Sequence, residues 1–368
     1  RLPILSADGS DAFVDVRVDG GWRAVEGQWL VTLDADELGQ LDQPGIHIID
    51  QTRLEELDLR VVRFRVDDDL DSRAALKRVL PASLVERLDR NHIYRPESET
   101  GATSHRQAVP TAVCSSPMKV GMVDTAIQTD HPSFTGVRII QKHFLDAATL
   151  ARPFREPDTH GTAVASLLVG HGPEQGVASL PRATLVNASV FFSRNQQASG
   201  ATLLHLIKGL NWLVSQQVDL INISMAGPDN RLLARVIQRV AAAGIPLVAA
   251  VGNAGPAAPP LYPAAYPDVI GVTAVDRHHR VYRWANRGDQ VDFAADGVDV
   301  DVADSGGGIT QLSGTSLATP RVTAQLACRL AVSKAPLPEL VKQLADQAVD
   351  LGQSGRDPVY GYGFLGSH

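Results

Sequence analysis

Apolar and polar positions follow two rhythms along this chain, and each predicts its own unit. In the first hundred residues, QWLVTL (28–33) and LRVVRFRV (59–66) read as strands, the second alternating apolar with basic residues. DSRAALKRVL (71–80) opens on the capping pair Asp-Ser and keeps helical spacing, and SLVERLDR (83–90) continues that helical pattern. NHIYRP (91–96) closes as a short strand, giving a small α/β unit. The polar stretch PESETGATSHRQAVP (96–110), with its Pro, Gly, Ser and Thr, reads as a linker.

After the linker the texture changes. Nearly continuous apolar runs predict strands at 118–124, 183–191, 218–224, 245–253 and 268–275, and helical patterns lie between them at 159–170, 200–217 and 231–244. Strands of this kind alternating with helices predict an α/β fold, a parallel sheet covered by helices on both faces. Functional groups in such sheets collect at the carboxyl ends of the strands, where Asp124, Ser224 and Asn253 stand. Finally, SGTSLATP (313–320) precedes the apolar helical run RVTAQLACRLAV. This predicts Ser316 at or just before a helix N-terminus, with Pro320 in the first turn. Free N–H groups and the helix dipole favour negative charge there.

At 368 residues and 44% apolar content the chain suits two globular units. Its net charge of −7 resides entirely in residues 1–97, with 20 Asp/Glu against 13 Lys/Arg, whereas residues 98–368 hold 21 of each. No basic patch points to nucleic acid, and no apolar run reaches the ~18 residues of a membrane span. Two cysteines, Cys114 and Cys328, are too few for a disulfide framework; a single bridge between them stays open. A removed signal peptide and an expression start both account for a first residue of Arg1.

Three segments supply complementary chemistry: Asp124 in GMVDTAI, His160 in THGTAVAS and Ser316 in SGTSLATP. A hydroxyl nucleophile needs an imidazole to take its proton and a carboxylate to hold the imidazole tautomer. Taken singly each has a plainer reading, as a strand-end cap, a helix N-terminal residue and an N-cap serine; Asn253 reads equally as a turn residue. Taken together, with the order Asp…His…Ser, they resemble the subtilisin-like serine proteases. The resemblance spans about residues 106–366 through VDTAI, HGTAVAS, INISMAG, AAVGNAG, GTSLATP and the closing YGYGF.

That resemblance implies a serine endopeptidase acting on peptide or protein substrates. Asp124 would orient, His160 would serve as base and then acid, and Ser316 would attack. Asn253 would donate its side-chain amide to the oxyanion beside the Ser316 N–H. INISMAG resembles the strand that pairs with extended substrate. The pocket for the residue before the cut would be walled by Ser224, Met225, Ala226 and Gly227, by Ala250, Val251 and Gly252, and by Leu261. Ala226 and Leu261 add bulk there, so small or medium side chains such as Ala, Ser or Thr are expected rather than aromatic ones.

The resemblance further implies that residues 25–97 form a ferredoxin-like inhibitory prodomain, a small α+β unit behind an extension of residues 1–24. A linker over 98–117 and a catalytic domain over 118–368 complete the division. Such a prodomain would be an intramolecular inhibitor of a secreted or periplasmic enzyme. Its junction is expected between Glu97 and Gln107, with Thr100, Ala102, Thr103 and Ser104 as candidate cut sites. The sequence departs from the family at Ala126, usually glycine, and at Ala163, usually histidine. Ser133 replaces a common calcium-binding Asp and GHGPEQG (170–176) is short, so no cofactor and no tight calcium site are expected, a weaker one over 289–304 staying open. Two other readings stand beside the peptidase: a latent regulatory or binding protein whose retained prodomain blocks the cleft, and an ester hydrolase. For the latter the Gly-x-Ser-x-Gly elbow is missing.

Overall fold

The computed structural model describes residues 1–5, 11–34, 36–97, 99–100, 114–145, 157–171, 178–193 and 199–366. The N-terminal unit contains strands β1 (Leu2–Leu5), β2 (Asp11–Arg17), β3 (Arg23–Thr32), β4 (Ile46–Leu54), β5 (Leu59–Val66) and β6 (Leu88–Pro96), with one-turn helices α1 (Arg73–Leu76) and α2 (Ala82–Val85). Its antiparallel order β6-β3-β5-β4 is that of a ferredoxin-like sheet. Residues 2–5 and 11–17, expected as an extension, pair antiparallel, and the second of these strands pairs with β3, so both join the same sheet.

Strand period decides which side chains hold the two units together. Trp29 and Val31 turn one way, into the unit's own core with Val62 and Phe64. Leu30 between them turns the other way and, with Val61 and Tyr94, packs among side chains of the larger unit.

The larger unit begins with β7 (Glu99–Thr100) and continues through β8 (Lys119–Asp124), β9 (Arg138–His143), α3 (Thr159–Val169), β10 (Thr184–Ser189), β11 (Phe192–Ser193), β12 (Ser199–Thr202), α4 (Leu203–Ser215), β13 (Leu220–Ile223) and β14 (Met225–Ala226). After these come α5 (Arg231–Ala242), β15 (Leu247–Ala250), β16 (Val269–Val275), β17 (Phe293–Asp296), β18 (Val300–Ala303), β19 (Ile309–Ser313), α6 (Thr315–Val332) and α7 (Leu337–Ala345). Seven strands form a sheet of order β17-β16-β15-β13-β8-β10-β9, every pair parallel. Alternate residues feed two cores: Leu247 and Ala249 pack with α4 and α5, Val248 with α3 and α6. Both faces are therefore buried, which explains the nearly unbroken apolar runs. The strand order reverses at β8, so its carboxyl end, Asp124, sits at the switch point where such sheets form clefts.

Two local expectations differ from the structure. The helical pattern over 83–90 stops at Val85, and Leu88–Pro96 is strand. There Asp89 Oδ2 accepts from Leu232 N (2.9 Å) and Asn91 Oδ1 from Leu204 N (3.2 Å), so the strand's polar side chains cap α5 and α4. Similarly, residues 200–202, expected as the start of a helix, are strand, because Ala201 and Thr202 pair with Tyr94 and Ile93 of β6. In the first place pairing with β3, and in the second pairing between the units, outweighs a helical preference worth tenths of a kcal/mol per residue.

Candidate active site

Asp124 ends β8 fully buried, and its Oδ1 accepts from Thr125 N (2.7 Å) and lies 2.6 Å from His160 Nδ1. A carboxylate can only accept, so Nδ1 carries a proton, and the neutral tautomer this selects has its lone pair on Nε2. His160 occupies the first turn of α3. The helix reaches β8 this closely because the next residue is glycine: a Cβ on Gly161 would stand 2.5 Å from the carbonyl oxygens of Thr125 and Ala126. Gly161 N donates to Thr125 Oγ1 (2.7 Å), and Asn187 Nδ2 donates to Thr125 O (2.9 Å), pinning the segment after Asp124. His160 Nε2 and Ser316 Oγ are both buried and make no hydrogen bond among the described residues. Ala163, standing where the family usually has a second histidine, lies wholly in the core.

Ser316 is the second residue of α6, so Pro320 lies inside the helix rather than in its first turn. An interior proline removes the hydrogen bond to the carbonyl four residues back, here that of Ser316. The Ser224 hydroxyl replaces it, donating to Ser316 O at 3.0 Å. Ser224 is itself held by Asn222 Nδ2 (2.9 Å), and Asn222 Oδ1 accepts from Thr323 Oγ1 (3.0 Å). A relay from β13 to α6 thus fixes the backbone at Ser316.

Asn253 follows β15. Its Oδ1 accepts from Thr315 N (3.2 Å) and Thr315 Oγ1 (3.1 Å), which assigns the amide orientation and leaves Nδ2 a buried donor without a partner among the described residues. Sequence reasoning missed Thr315, Asn222 and Thr323; their small polar side chains beside the motifs carry no distinguishing signal on their own.

The cleft beside Ser316 holds this chain's own strand. Met225 and Ala226 pair antiparallel with Pro96 and Arg95, and Glu97 N donates to Ser224 O (3.4 Å). The Ser316 N–H donates to Glu97 O at 3.1 Å, and Glu97 Oε2 accepts from Asn253 N at 2.7 Å. On the far side of Ser316, Glu99 and Thr100 pair antiparallel with Ser313 and Leu312. Of the candidate cut sites, Thr100 therefore lies in β7, and Ala102, Thr103 and Ser104 fall outside the described residues.

Among the expected pocket residues, Leu261 presses against Gly252, where a Cβ would stand 2.4 Å from its Cδ1. Ala250 and Val251 are buried beside them, and Ser224, Met225 and Ala226 border Arg95–Glu97. Gly227 is further along, bonded both ways to Tyr262 (2.9 Å each) and lying against the Tyr94 ring; a Cβ there would stand 2.3 Å from Cδ1.

No group of three or more His, Cys, Asp or Glu able to hold a metal occurs among the described residues. At the family's calcium position Ser133 is buried, with its N–H bonded to His131 Nδ1 (3.0 Å). Within 289–304, Asp292 accepts from Gly271 N, Asp301 from Gln311 Nε2 and Asp304 from Gly306 N. Cys114 and Cys328 are free, and burial together with the Cys114 thiol pushes the Cys328 thiol up to about 12.

Residues 115–363 match the model of the subtilase family. An intracellular serine protease of Paenibacillus polymyxa is 31% identical over 251 residues, covering 64% of this chain and 76% of that protein. The minor extracellular protease Epr of Bacillus subtilis is 28% identical over 266 residues, 71% of this chain but only 39% of its own length. The crystal structure of fervidolysin from Fervidobacterium pennivorans, a keratinolytic enzyme related to subtilisin, superposes with a TM-score of 0.77 over 99% of this chain and 63% of its own, at 18% identity. That likeness extends the shared fold through the N-terminal unit. With the family model covering most of the chain, and the buried Asp–His pair and helix-borne serine in the matching segments, the chain belongs to the subtilase family.

Proposed function

We propose that the chain is a serine endopeptidase in which Asp124, His160 and Ser316 perform acyl transfer and residues 25–97 act as its inhibitor in cis. Ser316 Oγ attacks the peptide carbonyl while His160 Nε2 takes its proton, and Asp124 steadies the resulting imidazolium through Nδ1. The tetrahedral oxyanion is met by two donors, Ser316 N–H and Asn253 Nδ2. His160 then passes the proton to the departing amine, and water releases the acyl group by the reverse sequence.

The observation that carries this reading is the hydrogen bond from Ser316 N to Glu97 O. It sets a peptide carbonyl on the serine's own N–H, while the Asn253 amide, held through Oδ1 by Thr315, keeps Nδ2 without a partner among the described residues. The same contact makes residues 95–97 occupy the cleft as a substrate would, which supports inhibition by the N-terminal unit. It equally favours the second reading, a latent protein whose cleft stays blocked.

A time course of the purified chain on a gel, with fluorophosphonate labelling, separates them. A peptidase releases a labelled fragment lacking the N-terminal unit. A latent protein stays intact, unlabelled and inert to peptides. We further propose that the enzyme works without bound calcium and acts outside the cytoplasm, as the name of the extracellular relative Epr suggests.

A further inference from the structure

We infer that this peptidase recognises glutamate as the residue before the scissile bond, through the main-chain N–H of Asn253, and that its own first substrate is the Glu97–Ser98 bond. The inference rests on the peptidase reading above and goes beyond it in naming the side chain the site takes.

The argument is an account of donors around the turn after β15. Gly252 N donates to Thr315 Oγ1 (3.3 Å), Ala254 N to Asn286 Oδ1 (2.8 Å) and Gly255 N to Trp284 O (2.8 Å). These N–H groups are committed to the enzyme's own framework. Asn253 N instead donates to Glu97 Oε2, at a length of 2.7 Å typical of a bond to a charged acceptor. This donor belongs to the residue that also offers Nδ2, so one residue would grip both the reacting carbonyl and the side chain next to it.

The surroundings suit an acid. Ser224–Gly227, Ala250–Gly252, Leu261 and Ala254 include no carboxylate to repel it. A side chain without an acceptor, such as Ala or Phe, would leave Asn253 N–H unpaired in a half-buried place, a loss that hydrogen-bond energetics make substantial. Phe would in addition meet Leu261, which already fills the space over Gly252. Glutamate reaches the donor with an unbranched chain, and glutamine offers Oε1 to it without the charge.

The self-cleavage step is balanced as follows. Ser316 Oγ bonds to the carbonyl carbon of Glu97 as His160 Nε2 takes the hydroxyl proton. The bond from that carbon to the Ser98 nitrogen breaks, and the nitrogen leaves with the proton from His160. Water then hydrolyses the ester, giving a carboxylate at Glu97 and restoring Ser316. The new N-terminus is Ser98.

The test uses the full chain. After incubation, N-terminal sequencing and intact mass identify the junction, and the processed enzyme is assayed on peptides Tyr-Arg-Pro-Xaa-Ser with Xaa as Glu, Gln, Ala, Phe or Lys. The expected results are a Ser98 N-terminus and kcat/KM about tenfold or more higher for Glu than for Ala, with Gln between and Phe and Lys lowest. In cis, Glu97→Ala slows release of the fragment by a similar factor and Glu97→Gln by less. Labelling by fluorophosphonate with Ala or Phe cleaved as well as Glu overturns the glutamate assignment and leaves the peptidase reading standing. So does a first cut elsewhere than at Ser98. No labelling and no cleavage of any peptide overturns both.

Discussion

Two titratable side chains on β6, the buried Asp89 and the half-buried His92, should make the docking of the N-terminal unit respond to pH in opposite directions, and removing either should expose the other. Burial pushes the Asp89 carboxyl up from 3.8 to about 6, against the pull of Leu232 N–H, Arg73 and Arg231. Burial, helped by Arg90 and Arg73, holds the His92 imidazole down from 6.5 to about 4. Its Nδ1 lies 3.1 Å from Asn230 Nδ2, a contact that needs the neutral ring to accept. Asp89 therefore contributes stability that is complete below its unfolded value of 3.8 and lost as pH rises through about 6. His92 does the reverse: its contribution is complete above 6.5 and lost as pH falls towards about 4. At 1.36 kcal/mol per pH unit each amounts to about 3 kcal/mol, so the two nearly cancel across that window. Urea unfolding of the Ser316→Ala chain, which cannot cut itself, followed by circular dichroism from pH 4 to 7, should give a nearly level profile. Adding Asp89→Asn, which keeps an acceptor for Leu232 N, should convert it to a rise of about 3 kcal/mol with increasing pH. Adding His92→Gln instead should give a fall of similar size. If Asp89→Asn leaves the profile level, or makes it fall, burial does not govern this carboxyl and the reasoning is wrong.

Three further outcomes test the site. Ser316→Ala should abolish fluorophosphonate labelling and lower kcat on the order of 10⁶-fold, a figure measured in subtilisin itself, while the uncut variant keeps the circular dichroism and cooperative unfolding of a folded chain; retention of a tenth of the activity would refute the assignment. Asn253→Ala should lower kcat by about 10²–10³-fold with little change in KM, again the subtilisin precedent, whereas a change confined to KM would argue against an oxyanion role. Adding a chelator should leave the melting temperature of the processed enzyme unchanged, since a ligand bound only to the folded state would raise it; a drop of many degrees would reveal a calcium site.

What the sequence determined by itself was the part of the structure written in short range. Unbroken apolar strands beside amphipathic helices imply a sheet buried on both faces, because no other arrangement hides such strands from water. Asp124, His160, Asn253 and Ser316 were legible as candidates because each stands at an element end whose local pattern is strong. Contacts between residues far apart in the chain decided the rest. Leu88–Arg90 keep helical spacing, yet they form a strand that pairs with β3 and caps a helix 143 residues away. Pro320 reads as a first-turn residue, yet it lies deeper in α6, where Ser224 supplies the hydrogen bond it lacks. Residues 96–110 read as a polar linker, and nothing in their composition singles out Glu97. Only the docking of β6 against Met225 and Ala226 brings its carbonyl to Ser316 and its carboxylate to Asn253. Local preferences are worth tenths of a kcal/mol per residue, whereas a buried hydrogen bond or a docked apolar face is worth one to several, roughly, so tertiary contact prevails wherever the two disagree.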